Sequence, residues 1–170
     1  MTPEVEHTSI KDEAQQAAEA MLQSTWDNSF PVEPSQIAQK LGVEVVETSL
    51  GGEISGALIK TKGRDPVILL NEEDTASRRR FTCAHELGHL DRRTGDLSEF
   101  EYIDFRDGTS STGEVEAERF ANAFAANLLM PEDAVREQAA TGHNAYDMAQ
   151  YFGASVLAVR NRLSSLGLPR

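Results

Sequence analysis

Apolar residues recur at helical spacing in several long stretches and cluster in three short ones, and that division predicts the architecture. From about Thr75 to Leu90, Phe81, Ala84, Leu87 and Leu90 fall every three residues, as a buried helix face requires. From Glu114 to Met130, Ala117, Phe120, Ala121, Phe124 and Leu128 mark a second strong helix, and Pro131 stops it. Residues 12–25 are rich in good helix formers, with Ala14, Ala17, Ala18, Met21 and Leu22 at helical spacing. Pro34 to Leu41 reads as a short helix opened by proline, with Gly42 just past its end.

Val43–Glu47, Gly56–Lys60 and Pro66–Leu70 are short β-branched or apolar runs, separated by Gly51-Gly52 and by Lys62-Gly63-Arg64-Asp65 as turns. They predict a small, largely antiparallel sheet. Residues 91–113 are polar apart from one aromatic stretch, Phe100 to Phe105, and predict a long loop carrying a short strand. Shorter helices are expected over 132–140, 145–151 and 155–166. The fold class is therefore α+β, a small sheet packed on a helical body, and we expect one domain over 1–170 with an N-terminal helical segment in 1–30.

Composition narrows the function classes. At 39 % hydrophobic and 26 % charged residues the chain has the make-up of a globular protein, and no run approaches the ~20 apolar residues of a membrane-spanning helix. Met1 to Lys11 lacks the apolar core of a secretory signal, and Cys83, the only cysteine, permits no internal disulfide. Both lead us to expect a cytoplasmic protein. A formal net charge of −12 disfavours phosphate backbones and anionic lipid, so neither direct DNA binding nor a membrane partner is expected.

The chemistry is concentrated in His85-Glu86-Leu87-Gly88-His89. Two histidines four residues apart on a helix project from one face a turn apart and converge on one ion. Zinc suits imidazole ligands with one position left open, and Glu86, one residue beyond the first histidine, is placed to take a proton from the attacking water. Peptide-bond hydrolysis is the reaction these parts serve. Two histidines at this spacing also occur as a plain core or surface pair, but Gly88 allows close packing beside the metal and acids follow downstream. Cys83 lies about 200° round the helix from His85 and reads as a small buried hydrophobe.

Among the downstream acids, Glu114, Glu118 and Asn122 share one helix face, whereas Glu116 lies nearly opposite. Glu118 is the chosen third ligand because Asn122, one turn later, is placed to orient a histidine through its other ring nitrogen. Glu114 reads better as a solvated first-turn acid.

These residues carry a resemblance. Phe81-Thr82-Cys83-Ala84-His85-Glu86-Leu87-Gly88-His89, followed by the segment from Glu118-Arg119-Phe120-Ala121-Asn122 to Leu128-Leu129-Met130-Pro131, closely resembles the ImmA/IrrE family of metallopeptidases. The likeness extends to Pro34–Val45 and to Phe105-Arg106-Asp107, and covers about Pro31 to Pro131. It implies a zinc peptidase related in fold logic to thermolysin-like enzymes, with His85, His89 and Glu118 as ligands and Glu86 catalytic. It also implies a helix-turn-helix repressor as the protein substrate, cut to release phage, mobile-element or stress genes. Many members carry a further DNA-binding or sensor domain, and this chain is expected to be too short for a full one.

Other residues have weaker claims. Tyr102, Arg106 and His143 are candidate donors to the developing oxyanion. Tyr102 to Phe105 is a candidate strand for pairing with an extended substrate. Arg78-Arg79-Arg80 reads as a solvated face or as partners for the many acids. Residues 144–167 look like a helix-turn-helix, a helix, a glycine turn and a second helix opening at Ser155. Val156, Leu157 and Val159 offer little to base edges, so the pair is read as structural.

Overall fold

A computed structural model describes residues 8–93, 102–105 and 112–170. Helix α1 (Ile10–Thr25) starts two residues before its expected boundary because the Ser9 side chain caps it, accepting from the Asp12 backbone N–H at 3.2 Å. It buries Ala14, Ala18, Met21, Leu22 and Thr25, one face at helical period. In α2 (Pro34–Lys40) proline occupies the first turn, and Gly42 at φ 75° lets the chain leave into strand β1 (Glu44–Thr48).

With β2 (Gly56–Lys60), β3 (Val67–Asn71) and β4 (Tyr102–Phe105) the sheet has four strands in the order β1-β3-β2-β4. β2 pairs antiparallel with both β3 and β4, in registers that set Gly56 opposite Leu70 and Ala57 opposite Phe105. β1 pairs parallel with β3, so the sheet is mixed, where a largely antiparallel one is expected from the sequence. Alternation cannot distinguish the two, since the side-chain period is the same for either direction. The short strand expected in the 91–113 loop is present as β4, and helix takes up both ends of that stretch, α3 running to Arg92 and α4 starting at Thr112; residues 94–101 and 106–111, with Arg106, lie outside the described residues.

The sheet packs against α3 (Ala76–Arg92), and α4 (Thr112–Leu129) packs along both α3 and α1. Leu58, Ile68, Ala84, Leu87, Phe124 and Leu128 are fully buried where these elements meet. α5 (Glu132–Ala140), α6 (Ala145–Phe152) and α7 (Val156–Ser165) close the chain. Asn144 and Asp147 form a reciprocal capping box on α6, Gly153 turns the chain at φ 60°, and Ser155 caps α7.

The Arg78–Arg80 run is spent on ion pairs. Arg78 meets Asp74 at 3.3 Å, Arg79 meets Glu47 at 3.5 Å, and Arg80 donates to Glu33 at 2.7 Å and to the Gly153 carbonyl at 2.9 Å. Arg80 thus ties α3 to both α2 and the α6–α7 turn.

A second arginine holds the final helix pair to α4. Arg162 is 8 % exposed, its Nε donates to the Met130 carbonyl at 3.0 Å and its Nη2 to Asn127 Oδ1 at 2.8 Å. A cation at the carbonyl end of α4 meets the negative pole of that helix, and its apolar stem fills the space between α4 and α7. Replacing Arg162 with alanine leaves two buried acceptors without their donor, and we expect a loss of about 2–4 kcal/mol in urea unfolding. An unchanged midpoint would show that water replaces the guanidinium without penalty.

Candidate metal centre

The centre is built from one turn of α3 and one turn of α4. Thr82 to Leu90 are buried without interruption, so His85, Glu86 and His89 are held with 0 %, 1 % and 6 % exposure. Gly88 sets how closely α4 approaches. A Cβ at that position would stand 3.0 Å from the Ala121 Cα and 3.1 Å from Phe124 Cδ1, which leaves no slack for a side chain between the helices.

At that spacing Glu118 reaches across to both histidines. Its carboxylate lies 2.8 Å from His89 Nε2 and 3.3 Å from His85 Nε2, and the two Nε2 atoms are 3.0 Å apart. Ligand atoms about 2.0–2.1 Å from a tetrahedral zinc stand about 3.3 Å from one another. The three separations are at or just below that value, so the donor set fits an ion of that size. Among the described residues these are the three whose ligand atoms converge, all within 4.8 Å of one another.

Asn122, one turn along α4, has its Oδ1 2.9 Å from His85 Nδ1. An amide oxygen only accepts, so Nδ1 donates to it and Nε2 is left facing the centre, where the neutral ring would offer its lone pair to a metal. Burial alone would raise the Glu118 pKa, but hydrogen bonds from His85 and His89 and their charge outweigh it and hold the carboxyl well below its ordinary range.

The remaining expected residues separate clearly. Glu116 turns away and pairs with Arg92 at 3.1 Å, while the Glu114 side chain lies outside the described residues. Tyr102 is described only in its backbone, opposite Lys60 in the β2–β4 ladder. His143 is exposed in the α5–α6 turn, within 2.9 Å of the Thr141 hydroxyl, and does not belong to the converging group.

Cys83 faces the other way from the histidines, into a cavity it lines with Pro34, Val45 and Leu70. Burial, reinforced by the charges of Glu86 and Glu33, pushes its thiol up to about 12 from an ordinary 9.0. The thiolate is the reactive form. Iodoacetamide at pH 8 should leave the folded protein unmodified and label it once in urea, by intact mass; labelling of the folded chain would place the thiol at the surface.

Sequence reasoning overlooks Gly56, the β2 residue that faces Thr82 and Glu86. A glycine inside a strand is the available signal, since it marks a place where something approaches the backbone closely.

No curated protein matches the chain in sequence. Among solved structures, a Mycobacterium tuberculosis transcriptional regulator superposes with a TM-score of 0.62 at 20 % identity, over 93 % of this chain and 48 % of that one. The chain thus spans about half the length of that protein, and the likeness is one of fold. Among the described residues no helix is long and apolar enough to cross a membrane. The family model Peptidase_M78, the IrrE N-terminal-like domain, matches residues 38–164, which include α3, α4 and all three converging side chains, and the chain therefore belongs to that metallopeptidase family.

Proposed function

We propose that this chain is a zinc-dependent endopeptidase of the cytoplasm that cuts a regulatory protein, a helix-turn-helix transcriptional repressor, at a specific site. Its cleavage would release phage, mobile-element or stress genes. The observation that carries the reading is the convergence of His85, His89 and Glu118, with Glu86 on the same buried turn.

In this reading His85, His89 and Glu118 hold the ion, in the manner of thermolysin-like enzymes, and Asn122 fixes the His85 ring. When bound, zinc lowers the pKa of water and polarises the scissile carbonyl. Glu86 takes the proton of the attacking water and passes it to the departing amine. β4 is an end strand of the sheet, so an extended substrate can add to its outer edge. Phe105 pairs with Ala57, beside the strand residue that faces Glu86, whereas Tyr102 is at the far end of the ladder. Tyr102, Arg106 and His143 stay the candidates for the second donor to the oxyanion.

The α6–α7 pair serves as structure in this account, since Arg162 and Arg80 anchor it to the body and direct DNA binding is not required. The test is to incubate the zinc-loaded chain with each helix-turn-helix repressor encoded in its genomic neighbourhood and to record intact masses. Two fragments summing to the repressor plus one water, abolished by a chelator, are expected. Capture of the repressor without cleavage would instead make the chain a binding partner that keeps its metal for folding.

A further inference from the structure

β2 opens on a residue with no side chain, and that residue lies under the catalytic turn of α3. A Cβ built on Gly56 would collide with Thr82 Cγ2, stand 2.9 Å from the Leu69 carbonyl oxygen and reach 3.7 Å from Glu86 Oε1. Thr82 and Glu86 are one helical turn apart, so a single strand position faces both. Thr82 is 0 % and Glu86 1 % exposed, so either side chain, if displaced, would have to move within a close-packed interior. The metal-binding side chains point elsewhere, toward α4.

We propose that Gly56 is a positioning residue for Glu86. By omitting a side chain it lets α3 seat against β2 at the distance that aims the carboxylate at the reacting water. The two glycines at this centre then have separate tasks. Gly88 sets the α3–α4 distance that brings the ligands together, and Gly56 sets the α3–β2 distance that aims the base. The inference rests on reading Glu86 as the general base. It predicts that Gly56→Ala displaces Glu86 while leaving metal affinity intact.

The test uses cobalt-loaded protein titrated with acetohydroxamic acid and followed by visible absorption. A hydroxamate occupies the open metal position and donates a hydrogen bond to a carboxylate beside it, so its affinity reports where that carboxylate stands. Gly56→Ala and Glu86→Gln should each weaken it by about 10–100-fold, the worth of a hydrogen bond to a charged group. Cobalt affinity and the helical circular-dichroism signal should not change. Adding Thr82→Ser to Gly56→Ala removes the methyl the new Cβ would strike while leaving its close approach to the Leu69 carbonyl oxygen, and should recover part of the loss.

Wild-type hydroxamate affinity in Gly56→Ala, with Glu86→Gln weakened, would overturn the positioning role and leave the base in place. Wild-type affinity in Glu86→Gln would overturn the reading of Glu86 itself, and this inference with it. Loss of cobalt and helical signal in Gly56→Ala, unrestored by Thr82→Ser, would assign the glycine to folding alone and also overturn the proposal.

Discussion

Glu86→Gln is expected to keep the fold and the metal while slowing repressor cleavage by about 10²–10⁴-fold, the usual contribution of a positioned general base. The substitution is nearly isosteric, and the side chain sits at 1 % exposure, so shape is preserved where a larger change would disturb the packing of α3. Glutamine cannot accept the proton that the reaction must remove. The fall should appear in kcat with KM little altered, because the lost interaction belongs to the transition state. Wild-type turnover in the glutamine variant, with metal content unchanged, would transfer the base to another residue.

Glu118→Ala is expected to act one step earlier, on the metal. It removes the anionic donor between two imidazoles that approach it to 2.8 and 3.3 Å, so the site loses both a ligand and its only formal charge among the converging three. Zinc affinity should fall by more than about 100-fold, beyond the ~10–100-fold typical of removing an outer partner. Asn122→Ala supplies that comparison, since Asn122 touches His85 Nδ1 and not the centre. Competition against a chromogenic chelator ranks the three proteins. Equal affinities for Glu118→Ala and wild type would remove Glu118 from the ligand set.

Much of this site is legible in the sequence because it depends on local geometry. Four-residue spacing on a helix brings His85 and His89 to one face wherever the helix packs, and the same spacing pairs Glu118 with Asn122 on α4. The apolar periods of α3 and α4 identify the buried faces, Pro34 opens α2, and Gly42 and Pro131 follow the ends of α2 and α4.

Features that depend on distant partners are far less visible. The parallel pairing of β1 with β3 joins strands separated by the whole of β2, and alternation carries no sign of strand direction. No local pattern marks Arg162 as buried; its environment is made when α4 delivers the Met130 carbonyl and the Asn127 amide beside it. Gly56 reads as the start of a strand until α3 is laid across it. In each case the deciding contact is made by an element remote in sequence.

Whether His85, His89 and Glu118 hold one ion can be read from X-ray absorption at the zinc edge of the metal-loaded chain. We predict one zinc per chain with only nitrogen and oxygen neighbours at about 2.0–2.1 Å and two imidazole signatures. Sulfur at about 2.3 Å, which would bring Cys83 to the metal, or a chain that retains no zinc, would contradict it.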